Sequence, residues 1–209
     1  MVPTSALEDV ASLWLATLQR AIGRASHDVK DALNGVSVNL EVIRSRAARP
    51  DTPASAVASF GESAGHQLER LTTLIDAVLA LGKAERTPVD VGVILRRVVT
   101  ICGASTSSDD ATVRLVEDAS MGSTFSRVPS DVVRLALLAP LLDLVVSPAR
   151  GTSQSGVTCT LATTEDGVQV RFAAEARSAS IPDALAEILR GAGVRSSEGN
   201  DLTLTFPRA

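Results

Sequence analysis

The chain has no tyrosine, one tryptophan and four phenylalanines in 209 residues. Its core therefore cannot rest on rings, and must come from Leu, Val, Ile and Ala, whose small and branched side chains mesh in helix packing. There are two cysteines, Cys102 and Cys159, far apart in sequence and set among apolar residues. That excludes a disulfide framework and a thiolate metal site of recognisable spacing, and predicts reduced, buried thiols in a cytoplasmic protein. Positive charge is not in excess: 20 Lys and Arg face 24 Asp and Glu, and the basic residues are spread out. The electrostatic footprint of a nucleic-acid partner is missing. The most apolar run, Val132 to Val146, is too short to cross a bilayer and contains Arg134, Pro140 and Asp143, so it reads as a core helix and no membrane partner is expected. The N-terminal stretch carries Glu8 and Asp9 and no basic start, unlike a secretory signal.

What is present is a long apolar rhythm. Ser5 and Glu8 have the spacing of a capping box, in which hydroxyl and carboxylate satisfy free backbone donors. From there a helix is predicted to about Ala48, with Leu18, Ile22, Ala25, Val29, Leu33, Val36, Leu40 and Ile43 recurring every three or four positions. ARPDTPAS, residues 48 to 55, reads as a turn, with Pro53 suited to open the next helix after Asp51 or Thr52 as cap. The second helix is expected to run to about Glu85, its stripe formed by Phe60, Ala64, Leu68, Leu71, Leu74, Ile75, Val78 and Leu81. Two long helices joined by a short turn must lie antiparallel, and a lone hairpin leaves each stripe half covered. A second copy would complete a four-helix bundle, so a homodimer is expected.

After Thr87-Pro88 the rhythm changes. Helices are predicted over Val89–Cys102, Ser130–Val146 and Pro182–Leu189, and strands over Thr112–Glu117, Val157–Leu161, Val168–Phe172 and Leu202–Phe206, with a hairpin turn at Glu165-Asp166-Gly167. The fold class is α+β. A helical hairpin over 1–87 precedes a small α/β sandwich over 88–209.

His27 shares its helical face with Gly23, Arg24, Lys30, Asp31 and Asn34, while the seam at Val29, Leu33 and Val36 points elsewhere. A solvent-facing imidazole in its neutral form has a ring nitrogen free to attack an electrophile. Lys30, Arg24 and Arg20 suit a phosphate or an acidic partner pocket, and equally a solvated helix face. His66, on the second helix, lacks such an acid–base neighbourhood.

The stretch SHDVKDAL, Ser26 to Leu33, resembles the phosphoacceptor box of sensor histidine kinases. Leu68 to Lys83 is similar to the second helix of the same hairpin, and Pro88-Val89-Asp90-Val91 to the junction that follows. The resemblance implies that His27 carries a phosphoryl group and that Asp28 orients or deprotonates its ring. Arg24, Lys30, Asp31 and Asn34 would then meet a partner. Two positions depart from the pattern: Ala32 replaces a kink-associated proline, and Asp31 replaces the Thr or Asn that in many such kinases positions a hydrolytic water. A straighter helix and weak phosphatase activity would follow.

The second half resembles the ATPase domain of those kinases with its nucleotide contacts gone. Where the resemblance places magnesium-holding asparagines stand Leu141, Leu142, Leu144 and Val145, with Asp143 the one polar candidate. Ala176, Ser178 and Ser180 stand where an adenine-binding aspartate and two glycines belong, and Gly191-Ala192-Gly193 reads as a helix stop rather than a lid. The resemblance thus implies a histidine phosphotransferase with no cofactor of its own rather than an ATP-dependent kinase. It would shuttle phosphoryl between receiver-domain aspartates of a two-component phosphorelay, with Mg2+ in the receiver and a hybrid histidine kinase as a further partner. A dimeric scaffold or pseudokinase that docks response regulators or a kinase is the alternative, and a kinase with an unusual nucleotide site a third reading.

Overall fold

The computed structural model describes residues 4–51, 53–83, 85–103, 113–119, 122–146, 156–174 and 179–209, without the side chains of 4–9 and 146. Helix α1 spans Thr4–Ala47 and α2 spans Ser55–Leu81. They are antiparallel: Arg46 donates to the Ala56 carbonyl at 2.8 Å, Asn39 to the Ser63 hydroxyl at 3.3 Å, and Gly35 faces Gln67. Each step back along α1 is matched by a step forward along α2. The Arg46 guanidinium also lies 4.6 Å from the Phe60 ring centroid, a cation–π contact that steadies the turn end. Asn39 further donates to its own helix at the Gly35 carbonyl, 2.9 Å away. This small polar layer gives the pair a register that uniform Leu contacts would not.

The helix ends differ from expectation. Ser5 lies inside α1 rather than before it, and the Ser5 and Glu8 side chains fall outside the described residues. Helix α2 starts after Ala54, which makes no side-chain cap bond, with Ala56 and Val57 amides donating to Pro53 and Ala54 carbonyls in a tightened first turn. Thr52 lies outside the described residues. The second helix ends at Leu81 and not near Glu85, because its last carbonyls are taken elsewhere. Buried Arg134 donates to the Leu81 carbonyl at 3.1 Å and to the Lys83 carbonyl, ending the helix on a guanidinium instead of another turn.

Beyond the hairpin come β1 (Val89–Asp90), α3 (Val91–Gly103), β2 (Val113–Glu117), β3 (Phe125–Ser126), α4 (Ser130–Val146), β4 (Val157–Thr164), β5 (Gly167–Ala174), α5 (Asp183–Gly191), β6 (Arg195–Glu198) and β7 (Leu202–Phe206). Asp90 caps α3: its Oδ1 accepts from the Val93 amide at 3.1 Å and from the Thr124 hydroxyl at 2.7 Å. Strands β1 and β3 form a two-stranded antiparallel pair, and the main sheet has the order β2-β4-β5-β7-β6. The β2–β4 pair is parallel and the others antiparallel. Strands β1, β3 and β6 are additions to the sequence-based expectation, β1 taking the first two residues of the helix expected over Val89–Cys102, and Thr112 lies outside the described residues.

Alternation along the strands puts Val157, Cys159, Leu161, Val168, Val170, Phe172, Leu202, Leu204 and Phe206 on a buried face. Burying a Phe of this kind stabilises by about 2–3 kcal/mol. The opposite face carries Thr158, Thr160, Arg171, Thr203 and Thr205 toward water. The result is a two-layer α/β sandwich. Helix α5 stops on a Schellman arrangement: the Val194 amide reaches the Leu189 carbonyl at 2.8 Å and the Gly193 amide the Arg190 carbonyl at 3.0 Å, with Gly193 at φ 76°. The expected helix stop at Gly191-Ala192-Gly193 is therefore in place.

The two halves share one core. Ala21 and Ala25 of α1 and Leu74, Ala77 and Leu81 of α2 belong to the same buried cluster as α3, α4 and the sheet. Helix α1, with 44 residues against 27 in α2, runs past the end of its partner. Leu13, Trp14 and Leu18 of this stretch pack against that cluster.

Candidate functional site

Helix α1 has two occupied sides near its middle. Thr17, Ala21, Ala25 and Asp28 are buried and spaced at the helical period, and Ala21 and Ala25 belong to the core shared with the second half. One step round the axis, His27 is exposed, as are Gly23, Lys30, Asp31 and Asn34. Of the residues expected on one face with His27, Gly23, Lys30, Asp31 and Asn34 are exposed with it and Arg24 is half-buried. A Cβ at Gly23 would meet nothing within 4 Å, so no neighbouring element crowds the approach over this turn. Ser26, beside the imidazole in sequence, returns its hydroxyl to the Ile22 carbonyl at 2.8 Å.

Asp28 and Arg24 lie differently from that group. Asp28 is 6% exposed, on the sealed side of the helix, and its charge bears on the Cys102 thiol of α3. Arg24 is half-buried and its Nη2 donates to the Cys102 carbonyl at 3.0 Å. Arg20, a turn earlier, pairs with Asp143 of α4 at 2.5 Å. The two arginines thus hold the chain's own second half, a use the sequence spacing did not reveal.

Burial raises the Cys102 thiol to about 12, with Arg24 and Arg20 opposing the rise and Cys159 and Asp28 adding to it. Burial alone carries Cys159 to about 12. Both are free thiols and remain protonated at neutral pH, which removes them from the set of nucleophiles.

Next to the His27 turn an apolar groove of about 310 Å³ runs between the helices, lined by Ile22, Ala25, Ser26, Val29 and Lys30 of α1 and Ile75, Val78 and Leu79 of α2. It continues a stripe of exposed Leu33, Leu40 and Leu68. His66 lies exposed on α2 with Glu62 and Arg70 on the same flank.

In α4, Leu141, Leu142, Leu144 and Val145 are buried and Asp143 is engaged by Arg20. Ser180 is exposed, while Ala176 and Ser178 lie outside the described residues. Among the described residues no three His, Cys, Asp or Glu side chains are grouped to hold a metal ion, and no helix is long and apolar enough to cross a membrane.

No family model matches the sequence, and no curated protein matches it either. Three solved structures with a similar arrangement are histidine kinases. The histidine kinase domain of a blue-light activated kinase from Erythrobacter litoralis is 13% identical, with 90% of this chain and 94% of that one covered and a TM-score of 0.44. Histidine kinase ThkA, solved with the response regulator protein TrrA, is 13% identical over 93% of this chain and 63% of that one, with a TM-score of 0.41. Acinetobacter baumannii histidine kinase AdeS is 14% identical over 87% and 97%, with a TM-score of 0.36. At this identity and overlap the likeness assigns no residue a role.

Proposed function

We propose that the chain is a histidine phosphotransferase of a two-component phosphorelay, with His27 as the phosphoacceptor. The observation that carries the reading is the outward imidazole on an unobstructed turn of a helix that is braced from behind, flanked by Lys30, Asp31 and Asn34. The SHDVKDAL stretch supplies the sequence support.

In the transfer, a ring nitrogen attacks the phosphorus of an aspartyl phosphate on a receiver domain. An N–P bond forms, the P–O bond to the aspartate breaks, and the free carboxylate leaves while the ring keeps its other proton. The reverse step delivers the group to a second receiver. Such transfer depends on in-line positioning and charge neutralisation, and the receiver's own acidic pocket and Mg2+ would provide most of the latter. Lys30 would add positive charge at the rim, and Asp31 and Asn34 would dock the partner. Of the two roles for Asp28, its burial favours orientation: from the sealed side it fixes the roll of α1 and hence the direction of the ring.

A second copy of the chain is the occupant proposed for the exposed stripe of Ile22, Leu33, Leu40, Leu68, Ile75 and Leu79. A continuous apolar face of this kind on a hairpin is unfavourable in water and fits a four-helix bundle.

The test is to mix the pure chain with phosphorylated receiver domains and follow acid-labile label. Label on the unaltered chain, absent from His27→Gln, is the expected result. Failure of every receiver to donate, with receivers still bound, would instead favour the docking scaffold, and labelling from ATP would restore the kinase reading.

A further inference from the structure

The junction between the hairpin and the second half is held by arginines from both sides. From α1, Arg20 pairs with Asp143 and Arg24 donates to the Cys102 carbonyl. From the second half, Arg134 donates to the Leu81 and Lys83 carbonyls, and Arg97 pairs with Glu85 in the connection. The Cys102 carbonyl is among the last four of α3, which have no partner within the helix, and a cation there is also favoured by the helix dipole. Arg24 therefore satisfies a group that would otherwise need water. Ala21 and Ala25, on the same flank, have side chains small enough to let the helices approach.

We propose that Arg20 and Arg24 are positioning residues for phosphoryl transfer through His27. One grips α4 and the other α3, and together they fix the rotation of α1 about its own axis. The second half then stands as a fixed wall beside the phosphoacceptor helix and defines the side from which a receiver reaches the ring. With side chains at about 5–6 Å from a helix axis, a 20° roll displaces the imidazole by about 2 Å. A misplacement of about 1 Å at a reacting centre is enough to cost about a hundredfold in rate. The Arg20–Asp143 pair is only half-buried, at 44% and 47% exposure, so its worth lies in direction more than in strength. The consequence for transfer rests on the phosphotransferase reading, and the clamp itself does not.

The experiment uses the full chain carrying Arg20→Asp, Asp143→Arg, both together, Arg24→Gln, or Arg24→Lys. Amide hydrogen exchange over residues 13–28 reads the clamp directly. Each single reversal and Arg24→Gln should speed exchange there about three- to tenfold, and the paired reversal and Arg24→Lys should return it to within about twofold of the unaltered chain. Phosphoryl transfer is read with the receiver that donates fastest to the unaltered chain, loaded from acetyl phosphate. Its kcat should fall about tenfold in the single reversals and Arg24→Gln with KM nearly unchanged, and recover in the same two rescues. Labelling of His27 by phosphoramidate, which needs no docking, should stay within about twofold throughout.

Unaltered exchange in the single variants, or a paired reversal that fails to rescue, overturns the clamp. A slowed phosphoramidate reaction also overturns it, since the variants would then have damaged the ring's surroundings. If no receiver donates to the unaltered chain, the phosphotransferase reading falls while the exchange measurement still decides the clamp.

Discussion

A Cβ added at Gly35 would fall on the carboxamide of Gln67, which packs from α2 directly against the α1 backbone. The Gln67 Oε1 is buried without a hydrogen-bond partner, so its amide sits there because the space exists and not because a donor holds it. Ala is favoured over Gly in a helix interior by about 1 kcal/mol. In a Gln67→Ala background, Gly35→Ala should therefore stabilise by about 1 kcal/mol. In the unaltered chain the gain should be smaller, because the long side chain must swing out. Urea denaturation of the four combinations measures the coupling, and equal gains in both backgrounds would mean that the two residues do not interact.

The hairpin between β4 and β5 should tolerate no side chain at its exit. Gly167 has φ 151°, and a Cβ there would run into the Phe206 carbonyl oxygen of β7, a backbone atom that cannot turn aside. Gly167→Ala is expected to cost about 3 kcal/mol or more, from strain together with a displaced neighbouring strand. Thermal unfolding should show it as a marked fall in Tm.

Arg134 is buried and serves two backbone carbonyls at the end of α2, with Asp131 at 3.3 Å on its own helix. Arg134→Met would keep much of the side-chain volume and leave those acceptors unserved, at about 1–3 kcal/mol each. A total loss of about 2–6 kcal/mol is expected. Faster amide exchange confined at first to residues 74–83 would identify the end of α2 as the place where it acts.

Alkali should destabilise the fold through its thiols. Burial raises Cys102 and Cys159 from 9.0 to about 12. Above pH 9 the unfolded chain releases these protons while the folded one keeps them, so the unfolded state binds fewer and stability falls as pH rises toward 12. The slope is about 1.4 kcal/mol per pH unit for each thiol, and below pH 9 the contribution is fully present. The absence of tyrosine keeps phenol ionisation out of this window. Denaturation at pH 8, 9.5 and 10.5 should show the decline in the unaltered chain and a much flatter course in a Cys102→Ala, Cys159→Ala variant. An equal decline in both would exonerate the thiols.

The proposed second copy makes a separate demand on the stripe. Leu33→Asp together with Leu40→Asp puts two charges on that face without touching a buried residue. Light scattering coupled to size exclusion should show the mass halve relative to the unaltered chain, with helical circular dichroism retained. A unaltered chain already at monomer mass would refute the dimer.

Patterned residues were readable from sequence where burial followed a single period. Helix α4 and strand β7 occupy the expected spans because their apolar residues are dense and alternate cleanly. Strand β6 was not readable: Arg195, Ser196, Ser197 and Glu198 are all exposed at the sheet edge, so nothing apolar marks them. The open face of His27 followed from the position of the seam. The second buried face of α1 did not, Ala25 apart, because buried Thr17, Ala21 and Asp28 carry no large apolar side chain. Small residues and spanning arginines leave no hydrophobic stripe to detect.

Because the interior runs unbroken across position 88, the protein should melt in one calorimetric peak, with no intermediate in which either half survives alone. A fragment cut at that position would present Ala21, Ala25, Leu74, Ala77 and Leu81 to solvent and aggregate. Grafting the hairpin onto a foreign domain would thus require rebuilding a shared interior, which makes this molecule a poor donor of interchangeable modules.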